Sequence, residues 1–254
     1  MKKYELTGET KEIGGVKLHR IRALIDIPAH AVKVGDLGGW IEVERNLSQK
    51  GAAWVTDSAL VMDSARVTDS ALVMGTACVT GKARVTGSAR VTGKARVMDS
   101  ARVTDTALVM GSAWVTGSAR VMDEALVMDS ARVTGKARVM DSACVMGAAC
   151  VMDSAWVTGK ARVTDSARVM GTALVTKSSD CITIGAIGSR NDTTTFYRGA
   201  DGKIYVSCGC FSGSIDDFAA KVKAVHAGTK HEKTYLLAIE LAKAQIDVEG
   251  EVNK

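Results

Sequence analysis

From Ala53 to Ser178 the chain repeats one six-residue phrase with no insertion: Ala, a variable residue, Val, Thr or Met, Asp or Gly, then usually a small or basic residue. Twenty-one consecutive hexads, ALVMDS (Ala59 to Ser64) and ARVTGK (Ala131 to Lys136) among them, make 126 of the 254 residues self-similar. A short fixed period of this kind marks a solenoid, in which each turn buries its apolar face only against its neighbours.

The phrase selects strand over helix. Within AxVx the small Ala and the β-branched Val are two apart, so they share one side of a strand, with the variable residue and Thr or Met on the other. A helix would scatter the same residues around its axis. The Asp or Gly that follows forms a corner, because Gly accepts positive φ and Asp bonds its own backbone. Short strand, tight corner, short strand is a coil. Each coil leaves strand edges unpaired until a neighbour arrives, so both ends of the stack need caps.

The phrase AxVx[DG]x is similar to the hexapeptide repeat of left-handed parallel β-helix proteins, whose coils are triangular prisms of three hexads. The resemblance implies a mainly β fold with 18 residues per coil. Its left-handed winding departs from the usual right-handed crossover. Twenty-one hexads then make seven coils, a prism roughly 34 Å long at about 4.8 Å per coil.

Read at a period of 18, the array has three different faces. One outward column is Arg66, Arg84, Arg102, Arg120, Arg138, Trp156 and Leu174. Five stacked guanidiniums suit a polyanion such as a nucleic acid. The following corner carries Asp69, Asp105, Asp123 and Asp141, with Glu124 beside them, and the same column also reads as a charge-laced solvated face. A second column is Trp54, Leu72, Arg90, Leu108, Leu126, Cys144 and Arg162. There Leu108, Met110, Leu126, Met128 and Met146 form an apolar patch to be covered by a terminal segment or by another copy of the chain. Hexapeptide-repeat proteins are commonly homotrimers packed along the prism, so the resemblance implies a homo-oligomer. The third column, from Leu60 to Arg168, is mixed.

Composition narrows the setting. A net charge of +5 is mildly basic, short of the bias of a DNA-coating protein. No apolar run is long enough to span a membrane, and the polar start MKKYELTGETKE lacks a secretion signal's apolar core. Cys78, Cys144 and Cys150 occupy variable outward slots where other hexads carry Arg or Leu. Free thiols in a reducing cytoplasm are the simplest reading.

Residues 1–52 do not repeat and read as an N-terminal cap. KLHRIRALIDI alternates like a strand, and VKVGDLGGWIEVERNLS turns at Gly38 and Gly39. The phrases GGWIE and NLS, followed by the Trp-Val pair that opens the hexads, resemble YdcK-type bacterial hexapeptide-repeat proteins and many phage or prophage proteins. That likeness speaks to architecture and carries no chemistry.

Residues 179–254 read as a small α+β domain: strands in CITIGAIGSRNDTTTFYR and DGKIYVSCGCFSG, a turn at Asp201 and Gly202, a helix begun by Ser214, and a second helix in HEKTYLLAIELAKAQ. The order GSRNDTTTFY, CGCFSG and a helix ending in His resembles a C-terminal module of phage and prophage proteins. Two constellations there could carry chemistry. Cys208, Cys210, His226 and His231 are candidate zinc ligands, although C-x-C is tighter than the usual knuckle. Ser189, Arg190, Asn191 and Thr193 offer donors for a phosphate or carboxylate, with Arg190 as the charge; they read equally as a polar turn before a strand.

Many hexapeptide-repeat proteins are acyltransferases with a catalytic His on the prism and a loop interrupting the coils. The hexads here contain neither, and the histidines are His19, His30, His226 and His231. The sequence therefore points to a non-enzymatic binding or scaffold protein, an oligomeric prism presenting a C-terminal recognition module to a protein or small-molecule ligand, in the manner of a phage-encoded inhibitor or ligand sponge. Polyanion binding is the alternative; an acyltransferase is disfavoured.

Overall fold

The computed structural model describes residues 1–248. Three strands come first, β1 (Tyr4–Ile13), β2 (Val16–Ala23) and β3 (Leu37–Ile41). Twenty-one two-residue strands follow, β4 (Trp54–Val55) to β24 (Leu174–Val175), each the variable residue and the Val of one hexad. Every hexad strand pairs in parallel with a strand 18 residues away, as in Arg66↔Arg84 and Leu108↔Leu126. The result is a parallel β-solenoid with three sheets.

Alternation fills the interior as the phrase requires. The hexad Ala and Val side chains are 0–2% exposed along the whole array and form one continuous core. Each fully buried valine contributes about 1.5–3 kcal/mol. All twenty corner residues from Asp57 to Gly171, ten Asp and ten Gly, have positive φ. Asp tolerates this left-handed backbone better than most side chains. The last hexad has Lys177 at that position with φ −139°, and the array ends there.

The corner aspartates do a second task. Nine of the ten accept the backbone N–H of the corner one coil on, Asp57 from Gly75 at 2.9 Å and Asp141 from Gly159 at 2.9 Å for example. They bind coil to coil. Among the described residues no Arg–Asp ion pair occurs within the array, so the carboxylates are engaged by backbone and not by the guanidiniums beside them.

The winding begins before the hexads. Strand β3 lies parallel to β5 (Leu60–Val61), with Trp40 opposite Leu60, and Leu47 bridges Val67, so the chain makes about eight turns where the repeat alone gives seven. Gly38 and Gly39 sit inside β3 and do not turn the chain. A Cβ on Gly38 would lie 2.6 Å from the Val55 carbonyl oxygen, and one on Gly39 2.8 Å from that of Ala59. These glycines permit close approach of β3 to the first coil.

Around each pair of stacked strands the flanking hydrogen bonds run one way, the amides of one coil donating to the carbonyls of the next, as Trp54 does to Ala71. The first coil is therefore left mainly with free carbonyls and the last mainly with free amides. At the first end donors fill the gap. The Lys3 ammonium reaches the Ala53 oxygen at 2.6 Å, and the buried Asn46 amide donates to the Asp63 and Ala65 oxygens at 3.1 and 2.9 Å. At the far end acceptors do so: the Thr195 hydroxyl takes the Arg168 N–H at 3.1 Å and the buried Asp180 carboxylate takes that of Thr176 at 2.8 Å. Tyr4 and Tyr197, both buried, close the apolar core at the two ends.

Beyond the array an antiparallel sheet is formed by β25 (Cys181–Ile187), β26 (Asp192–Arg198), β27 (Ile204–Cys208) and β28 (Phe211–Ser214). Two helices follow, α1 (Ile215–His226) and α2 (Lys230–Gln245). Ser214 caps α1 by accepting the Asp217 N–H at 3.1 Å. The helices pack on the sheet around Phe196, Phe218 and Ile239 in a second core.

Candidate functional site

The second core is incomplete on one side. Where the β25–β26 turn, the β27–β28 turn and the two helices meet, a cavity of about 250 Å³ opens. Each wall has a local cause. The β25–β26 turn uses Gly188 (φ +75°) and Asn191 (φ +50°), and this folds Ser189 and Arg190 towards the helices. At the β27–β28 turn Gly209 (φ +58°) lies against the Arg190 side chain. From the spacing of α1 come Phe218, Lys221, Val222 and His226, which recur on one helical face.

Tyr235 of α2 forms the back wall. Its ring lies edge-on to Phe218 at 5.4 Å and 5.7 Å from His226. Its hydroxyl is shared between Ser189 and the Cys208 thiol, 3.8 Å away, and Thr194 donates to the same sulfur at 3.2 Å. Burial, followed by the neighbouring Cys208, raises the Tyr235 phenol above its ordinary value, with the Ser189 hydrogen bonds opposing. The phenol is thus held in its neutral form. Arg190 and Lys221 bring two positive charges to the lining against the one carboxylate of Asp192, while Ile187, Phe211, Phe218 and Val222 make the rest apolar. Such a hollow accommodates a small ligand with an apolar body and an anionic group.

Two constellations read separately in the sequence thus share one cavity. Ser189 and Arg190 lie beside Cys208, Cys210 and His226. The proposed donor set is itself divided. Thr193 faces a different groove, together with Arg132 and Arg168, while Asn191 is exposed in the turn. Nor do the four Cys and His side chains converge. Cys208 lies under Tyr235, Cys210 is exposed, and the His226 and His231 rings stand 5.9 Å apart. Among the described residues no three His, Cys, Asp or Glu side chains gather as a metal-holding group. Tyr235 and Lys221 were not singled out from sequence; the apolar spacing of the helices was the signal available.

The other two surfaces are where the 18-residue register places them. Arg66, Arg84, Arg102, Arg120 and Arg138 are consecutive partners in one sheet, ending on Trp156, whose ring takes the Arg138 guanidinium at 4.5 Å. Among the described residues none of the five has a carboxylate within ion-pair distance. On the apolar face Leu108, Met110, Leu126, Met128 and Met146 remain partly exposed. At the start of that face Trp54 and Leu72 are buried, and Tyr4 of the N-terminal segment lies edge-on to Trp54 at 6.4 Å.

No protein-family model matches the chain, and no curated protein matches it. Among the described residues no helix is long and apolar enough to cross a membrane.

Proposed function

We propose that this is a non-enzymatic binding protein in which the β-solenoid is a rigid support and the C-terminal cavity takes a small anionic ligand. One observation carries the reading: Arg190 and Ser189 meet the aromatic pocket of Tyr235, Phe218 and His226 in a single hollow of ligand size. The winding is left-handed and the working unit is a homo-oligomer, trimeric by resemblance to other hexapeptide-repeat proteins, with the Leu108–Met146 patch at its interface. In this reading the protein is phage or prophage encoded and acts in the cytoplasm as an inhibitor or ligand sponge. The test is native mass spectrometry of the purified chain, followed by thermal-shift titration of small aromatic and aliphatic carboxylates and phosphates. At least one class should raise the melting temperature of the wild type and leave that of Arg190→Gln unchanged. Equal shifts in both proteins refute the cavity as the site.

A second reading rests on the arginine column, whose five side chains share one register. Polyanion binding through it predicts a steep fall of affinity with salt, and a log-log slope near zero in a DNA titration removes it.

A further inference from the structure

The mixed face holds a feature that neither reading uses. Its outward column runs Arg96, Trp114, Arg132, Cys150, Arg168, each opposite the next in the sheet. Cys150 is a short side chain between two long ones. The corner that precedes it is also short: Ala148 is the one alanine at any corner between consecutive hexads, where the others carry Ser, Thr, Lys or Glu. Cys150 and Ala148, adjacent outward positions on this face, are therefore both small, and a notch opens there. The C-terminal domain closes one end with Asp192 and Thr193, enclosing a groove of about 340 Å³.

Both arginines are held in place. Arg132 lies over the Trp114 ring at 5.6 Å, with Arg96 also against that ring at 5.1 Å. Arg168 donates to the Gly209 carbonyl at 3.4 Å. The Cys150 thiol donates to the Ala148 carbonyl at 3.8 Å. The two arginine backbones are two coil steps apart, about 10 Å, and the hydroxyls of Ser130 and Ser166 flank the opening. A guanidinium grips a phosphate through two parallel N–H donors. With one at each side of a notch, the arrangement matches two linked phosphates better than one. Asp192 opposes an anion, and its carboxylate is partly occupied by the Thr193 N–H at 2.7 Å.

We infer that this notch binds a compact diphosphate, with Arg132 and Arg168 each taking one phosphate group. The site is independent of the Tyr235 cavity; Asp192 lies between the two. The experiment is calorimetric titration of the full chain with pyrophosphate and with inorganic phosphate. Pyrophosphate should bind at least about tenfold more tightly than phosphate, and Arg132→Gln should weaken it about tenfold, the loss of one charge-assisted contact. Cys150→Leu fills the notch while keeping both arginines, and leucine already occupies the same slot at Leu60, so the coil still folds. It should abolish binding, whereas Asp192→Asn should strengthen it several-fold. Arg102→Gln, on the opposite column, should change nothing. Undetectable pyrophosphate binding, retained binding in Cys150→Leu, or equal weakening by Arg102→Gln would each overturn the assignment. Arg190→Gln leaves this titration unaltered, so the cavity and the notch fail separately.

Discussion

The Tyr235 hydroxyl occupies the space that a Cβ on Gly188 would fill. The turn that carries Arg190 and the helix that carries Tyr235 therefore fit together only because residue 188 has no side chain.

Gly188→Ala should accordingly destabilise the C-terminal domain by about 2–4 kcal/mol, combining the strain of alanine at positive φ with the displacement of Tyr235. Differential scanning calorimetry measures this. An unchanged melting temperature would show that the turn relaxes freely.

Asn46 stands in for a missing coil, accepting the Val43 N–H at 2.8 Å and donating to two carbonyls while fully buried. Asn46→Ala should cost about 2–4 kcal/mol in denaturant unfolding, because two carbonyls at the solenoid end lose their donor. A loss below about 0.5 kcal/mol would mean that water replaces it readily.

Asp141 accepts from the Thr158 hydroxyl and the Gly159 amide, and these bonds, in that order, hold its carboxyl below the ordinary value of 3.8 against a small opposing effect of burial. A depressed carboxylate stabilises the fold fully above the unfolded-chain value, and the contribution disappears as pH falls through the folded one. Asp141→Asn should lower the melting temperature at pH 7, where the ionised carboxylate contributes fully, and this deficit should shrink as the pH falls below 3.8, so that the acid limb of the variant is flatter. Parallel acid limbs in the two proteins would contradict this.

Lys3 gives a linkage of the same sign at alkaline pH, from a different cause. Burial lowers its ammonium from 10.5 to about 8. The unfolded chain then binds more protons than the folded one between these values, so stability rises with pH across that window. Lys3→Met should remove this rise. A wild-type stability that is flat from pH 8 to 10.5 would refute it.

Leu126 stacks between Leu108 and Cys144 in the centre of the apolar face. In the proposed oligomer Leu126→Glu should yield monomers, read by light scattering after gel filtration, with unchanged circular dichroism because the side chain points outward. A monomeric wild type would dispose of the interface.

Much of this was legible because a solenoid is nearly one-dimensional. Once the period is 18, Arg66 must stack on Arg84 and Leu108 on Leu126, and no distant contact can alter that. The corner aspartates were harder to read. Their sequence position beside arginine suggested charge pairing, but a backbone N–H from the next coil lies closer and needs no side chain to be ordered. Gly38 and Gly39 misled for a similar reason: glycine serves both for turning and for close approach, and local sequence does not say which. Ser189 and Thr193 were grouped as one donor set, yet the backbone enters β26 between them and places them in different hollows.

The sequence by itself determined the short strands, their corners and the need for caps, because each depends on residues at a fixed spacing along the chain, while the resemblance to hexapeptide-repeat proteins supplied the 18-residue coil that sorts the outward positions into three columns. Tertiary structure alone decided what lies around Arg190 and beside Cys150. The cavity needs two turns and two helices from separate stretches of chain to meet, and the notch is a gap defined by the size of its neighbours and closed by another domain. Neither is a property of any one segment.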